Sequence, residues 1–108
     1  VDILINKGKI ETNQFISEKT LKTFLKKDKY KNGLGWMLDT KNSFIKNGPE
    51  GSFGHTGFTG TSIAVIPQNK ISVILLINRQ NTGLKNGEYY DVNCIRQKVF
   101  NAVLQYSK

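Results

Sequence analysis

One cysteine, one histidine, one tryptophan and two prolines are all that this 108-residue sequence holds of those types. Each scarcity excludes something. A single thiol, Cys94, rules out an intrachain disulfide and a cysteine-based metal cage. It falls in an apolar helical pattern, which predicts a buried and inert thiol. No clustered ligand set suggests a metal, and no cofactor is expected. No apolar run approaches membrane-spanning length, and no signal peptide is present, so any export signal would lie upstream of Val1. Acidic residues are scarce: 8 Asp and Glu stand against 16 Lys and Arg, a formal net charge of +8. Arginine is scarcer still, with fourteen lysines to two arginines. Base and phosphate readout lean on arginine and stacked aromatics, whereas these lysines scatter over turns and one helix. Nucleic acid is therefore not the expected partner. A lysine-rich solvated face or polyanion-rich surroundings such as a cell envelope suit the charge.

What is present reads as one α+β unit over residues 1–108, an antiparallel sheet flanked by helices. Val1-Asp2-Ile3-Leu4-Ile5-Asn6 resembles the end of a helix running into a Lys7-Gly8-Lys9 stop, and no initiator methionine precedes it. Together these suggest a piece of a longer chain. Ser17 and Glu18 followed by Leu21, Phe24 and Leu25 predict a short capped helix with Lys19, Lys22, Lys26 and Lys27 on its wet face. Leu34, Trp36 and Leu38 alternate as in a strand, and Ser43 to Lys46 forms a second strand beyond the turn at Asp39. Ser62 to Ile66 is a strand stopped by Pro67. The Pro67 to Lys70 turn leads into Ile71 to Ile77, a run apolar enough to be covered on both faces. A polar loop from Asn78 to Gly87 precedes a final helix opened by Asp91, with Val92, Ile95, Val99, Ala102, Val103 and Tyr106 on its inner face.

Phe53-Gly54-His55-Thr56-Gly57-Phe58-Thr59-Gly60-Thr61-Ser62 stands apart. Its glycines permit close approach by another backbone or a ligand, while the imidazole and hydroxyls supply hydrogen-bonding groups that a plain turn does not need. A lone histidine beside an apolar strand is more often structural than catalytic, so the run by itself predicts a binding edge and names no reaction.

In this order and at these spacings, the elements resemble the C-terminal part of the serine β-lactamase and penicillin-binding-protein superfamily, in its branch of class C β-lactamases, DD-peptidases and esterases. Gly33-Leu34-Gly35-Trp36 looks like the strand before that branch's active-site edge. Phe53-Gly54-His55-Thr56-Gly57 looks like its third motif, Lys-Thr-Gly or His-x-Gly, and Asn78-Arg79 like its usual exit from the long apolar strand. The resemblance implies the C-terminal portion of a β-lactamase/transpeptidase-like fold. It also implies an acyl-transfer enzyme whose nucleophilic serine and tyrosine motifs lie elsewhere.

Carried over residue by residue, His55 and Thr56 would face a carboxylate or the tetrahedral intermediate, and the Phe58 amide would donate to the oxyanion. Gly57, Thr59 and Gly60 would line the substrate path. The partners implied are a peptide-like or β-lactam small molecule and the missing N-terminal part of the same protein. Histidine in place of the lysine of most β-lactamases supplies no fixed positive charge at pH 7, which favours DD-peptidase, D-aminopeptidase or esterase activity. A non-catalytic, cell-wall-binding member of the same fold is the alternative. The resemblance implies an extracytoplasmic location, in the bacterial cell envelope or secreted.

Two literal matches have the wrong order. Ser43-Phe44-Ile45-Lys46 spells Ser-x-x-Lys and Tyr30-Lys31-Asn32 spells Tyr-x-Asn, yet in the family the serine comes first, on a helix start. They read as a turn serine and a loop tyrosine. Without N-terminal strands beside it, Ile71 to Ile77 would present a bare edge, and self-association through that edge is expected.

Overall fold

The computed structural model describes residues 1–107. Helix α1 is Asp2–Ile5, and its predicted stop is present: Lys7 and Gly8 take φ of +55° and +89°. Two-residue strands β1, Lys9–Ile10, and β2, Asn13–Gln14, then form an exposed antiparallel hairpin that the sequence pattern did not reveal. Helix α2 is Glu18–Phe24, capped by Ser17, whose Oγ accepts from the Thr20 amide at 3.0 Å. That bond satisfies one of the orphan donors of a helix start. Leu21 is its buried residue.

The main sheet has three antiparallel strands in the order β3-β4-β5: Phe53–Thr56, Ser62–Ile66 and Ile71–Leu75. His55 pairs with Ile63 and Thr56 with Ser62, and Ile63 pairs with Ile74 across β5. A 3₁₀ turn at Pro67–Asn69, closed by Lys70 at φ +54°, joins β4 to β5 as the sequence suggested. Strand alternation divides the core in two. On one face Ala64 and Ile66 pack with Phe44, Ile45 and Phe100. On the other, Phe53 and Val65 pack with Leu38, and the Trp36 ring meets Phe53 edge-on at 5.0 Å. Burying each of these large side chains is worth about 1.5–3 kcal/mol.

Five expectations are corrected, the buried thiol expected at Cys94 among them. Residues 34–38 form no strand; Asn32 and Met37 close a tight turn, with Gly35 at φ +74°. Their alternation lost to Gly33 and Gly35, which fold the segment back so that only Met37 reaches the sheet. Residues 43–46 are turn, not strand. Asp39 organises them: its carboxylate accepts from the amides of Lys41 and Asn42 at 2.9 and 3.2 Å, while Ser43 Oγ donates to its carbonyl. That hydroxyl is spent on a turn, as expected of a turn serine, and Tyr30 is simply exposed.

Strand β5 is covered on one face only, because Ile74 and Leu76 are 57% and 78% exposed. Finally, helix α3, Asn93–Tyr106, is rotated from the predicted phase. Val92, Arg96 and Phe100 are buried, whereas Ile95 and Tyr106 are exposed and Cys94 is an exposed free thiol. The physical reason is Arg96, a charged residue assigned to water by the pattern and taken inward by hydrogen bonds described below.

Bonds from the Lys41 amide and then from Asn42 hold the Asp39 carboxyl down at about 2, below its ordinary 3.8, with Lys31 nearby contributing. A depressed carboxyl stabilises the fold above the unfolded-state value and loses that contribution as pH falls through the folded one. The thermal midpoint is therefore expected to drop between pH 4 and pH 2, and Asp39→Asn to remove part of that drop. Identical acid profiles for the two proteins would contradict this role.

Candidate functional site on the outer edge of the sheet

Strand β3 is an outer strand, and its free side is only partly covered. Gly54 directs both backbone groups outward, exchanging bonds with Met37 at 2.8 and 3.0 Å. By the same alternation Thr56 presents its amide and carbonyl outward two residues on, and the Phe58 amide follows. Among the described residues the Phe58 amide has no partner. The 32–37 turn thus covers the edge as far as Gly54 and leaves it open from Thr56 to Phe58. An edge of that kind offers unpaired backbone donors and acceptors to an extended, peptide-like ligand.

Glycine is required where β3 passes its neighbours. A Cβ on Gly54 would lie 2.6 Å from the Ile63 carbonyl oxygen and 2.7 Å from Phe44 Cζ, and one on Gly57 would lie 2.4 Å from Thr61 Oγ1. Beyond Gly57 the chain reverses at once. The Gly60 amide donates to the Gly57 carbonyl at 3.1 Å and the Gly57 amide to the Thr61 carbonyl at 2.8 Å, with Gly60 at φ +117°.

All six candidate residues fall on this edge and its turn, but their side chains do not converge. The exposed His55 imidazole shares a face with Ile63 and Ile74, borders a hollow of about 410 Å³ there, and borders a second of about 240 Å³ beside Gly35 and Trp36. The half-buried Thr56 side chain shares the opposite face with Phe44 and borders a cavity of about 460 Å³ in front of Asp91, Asn93 and Gln97. What His55 and Thr56 hold in common is the strand edge and the 410 Å³ hollow, which Thr56 also borders. Neither side chain has a hydrogen-bond partner among the described residues, so both are free to meet a ligand. Thr59 and the Phe58 ring are exposed in the turn.

The pattern of motifs missed Arg96. Its Nη2 donates to the carbonyls of Gly57 and Thr61 at 2.9 and 3.1 Å, and its Nη1 to Asn93 Oδ1 at 2.9 Å. Burial, together with Arg79, pushes its guanidinium below the ordinary value, against an opposing pull from Asp91. The rarity of arginine in so lysine-rich a chain was the signal that could have found it.

Among the described residues no group of three or more His, Cys, Asp or Glu side chains is placed to hold a metal ion. Among the described residues no helix is long and apolar enough to cross a membrane. The arrangement supplies a polar strand edge, an unpartnered turn amide, a free imidazole and a free hydroxyl. Among the described residues no serine hydroxyl is hydrogen-bonded to a lysine, histidine or carboxylate side chain.

The chain is 26% identical over 93 residues to proteins named "Putative D-alanyl-D-alanine carboxypeptidase" from Salmonella gallinarum (strain 287/91 / NCTC 13346), Salmonella paratyphi B and Salmonella newport. Each match covers 80% of this chain and 21% of the relative, so the chain spans about a fifth of the length of the curated relatives it matches. The family model described as Beta-lactamase matches residues 7–93, and with the α+β architecture already described, the chain belongs to the β-lactamase family of serine hydrolases.

Proposed function

We propose that this chain supplies the substrate-binding edge of a serine acyl-transfer hydrolase acting on peptidoglycan-like peptides, β-lactams or esters, and that it contributes neither nucleophile nor base. The observation that carries this reading is the open stretch of β3 from Thr56 to Phe58, with an unpartnered amide at its end. An acyl substrate's extended backbone pairs with that edge, and its carbonyl oxygen takes the Phe58 amide as the charge develops. His55 and Thr56 approach the same ligand from the two faces of the strand, as a proton relay or carboxylate contact and as a hydroxyl donor. Gly57, Thr59 and Gly60 keep bulk out of its path.

The serine comes from outside this chain, in keeping with relatives some four times as long. Activity on a cell-wall peptide suits an extracytoplasmic location in the envelope or in secretion, and recovery of the full-length protein solely from the cytosol would reject that location.

Labelling the full-length protein with a fluorescent penicillin tests the reading directly. Covalent capture at a serine outside this chain is expected, since acyl-enzyme formation defines the chemistry. The same labelling should be slower in His55→Ala with little change in thermal midpoint, because the imidazole is exposed and unbonded. Unchanged labelling in that variant removes His55 from the mechanism. Absence of label in the wild type, alongside retained binding of cell-wall peptide, favours the non-catalytic alternative.

The outer edge of β5 is unpaired among the described residues, and Ile74 and Leu76 stand exposed beside it. That edge suits either the remaining strands of the protein or a second copy. The 108-residue chain expressed alone should therefore self-associate. A monomer by light scattering at high concentration would refute this.

A further inference from the structure

The chain has only two arginines among its sixteen cationic side chains, and both converge on the Gly57–Thr61 turn. Arg96, from α3, bonds the carbonyls at both ends of the turn, Gly57 at 2.9 Å and Thr61 at 3.1 Å. Arg79, at the exit of β5, donates its own amide to the Thr59 carbonyl at the tip at 2.8 Å. Its guanidinium lies 4.5 Å from the centre of the Phe58 ring and 5.4 Å from that of Tyr89. The two rings meet edge-on at 5.9 Å.

Each arginine leaves its Nε buried without a partner, a penalty that the carbonyl bonds and the ring contacts must offset. Lysine, a point charge with no planar fork, cannot hold the two carbonyls from one nitrogen and Asn93 from a second, as Arg96 does, nor stack on a ring in the same manner. In a chain that uses lysine almost everywhere else, arginine at these two positions answers a geometric need.

We infer that Arg79 and Arg96 form a two-sided clamp of positioning residues, fixing the Gly57–Thr61 turn so that the Phe58 amide is held ready for the substrate's oxygen. The inference rests on the oxyanion role proposed above for that amide. Arg96 sets the separation of the turn's two ends. Arg79 holds its tip through the backbone and through the Phe58 ring. Neither touches substrate; both act through the turn, as a preorganised donor requires.

The test uses the full-length protein and two readouts. Hydrogen exchange of the segment covering residues 55–61 is expected to quicken at least tenfold in Arg96→Lys and in Arg79→Gln. Acylation by fluorescent penicillin, corrected for the folded fraction, should fall about tenfold, with the loss in the acylation step rather than in the initial binding constant. Arg79→Lys should behave like Arg79→Gln, and Lys98→Gln, on the exposed side of α3, should leave both readouts unchanged. If Arg96→Lys does not fold, the two Arg79 variants decide the matter.

Exchange at the wild-type rate in the folded variants overturns the clamp, as does an acylation loss that follows thermal stability alone. Wild-type protein that takes no label, while exchange still quickens in the variants, rejects the acylation reading and upholds the clamp.

Discussion

Phe58→Pro is expected to slow acylation of the full-length protein by about 10²–10³-fold, the loss that follows removal of one oxyanion donor, or about 3 kcal/mol of barrier. The substitution is chosen for what it leaves in place. Phe58 occupies the second position of the turn closed by the Gly60 amide, where proline's fixed φ is well tolerated. Its amide has no partner among the described residues, so proline removes no bond of the fold.

Proline also deletes the ring that Arg79 and Tyr89 contact. Phe58→Ala separates the two effects by deleting the ring and keeping the N–H. The alanine variant should lose much less activity than the proline variant. Equal losses, or a proline variant as fast as the wild type, would remove the amide from the mechanism.

Gly54→Ala should destabilise the fold by about 1–3 kcal/mol, the range for inserting a methyl group into a filled core. Here the obstruction lies on both sides. The new Cβ would meet a sheet carbonyl of Ile63 at 2.6 Å and the buried Phe44 ring at 2.7 Å. The carbonyl is fixed in the β3–β4 ladder, and Phe44 is wedged against Ile45 and Phe100, so neither can yield without moving β3. A displaced β3 carries His55 and Thr56 with it. The denaturant midpoint should therefore fall, and acylation by the protein that remains folded should fall too. An unchanged midpoint in chemical denaturation would show that the sheet accommodates the methyl and that close approach does not dictate this glycine.

Elements governed by local chemistry were legible in the sequence. The Ser17 cap, the apolar alternation of Ser62 to Ile66 and the Pro67 turn each carry their cause within a few residues, and each stands where expected. The glycine-flanked His-Thr-Gly run lies on an outer strand that passes into a turn. Legibility failed where long-range partners decided. Leu34, Trp36 and Leu38 alternate as a strand would, but two glycines and a single bridge to Gly54 left a turn. The apolar positions of α3 pointed to one inner face, and a charged residue displaced it.

By itself, then, the sequence determined the fold class and the family, because periodicity, turn chemistry and the third-motif residues are local properties of the chain. Only the tertiary structure decided which side of α3 turns inward and that the two arginines meet on one turn. Those facts depend on carbonyls and rings 20 or more residues away in sequence, such as Gly57 and Thr61 for Arg96 and Phe58 for Arg79. A hydrogen bond to a distant carbonyl can hold a guanidinium inside the protein, and no pattern of polar and apolar letters records where that carbonyl will be.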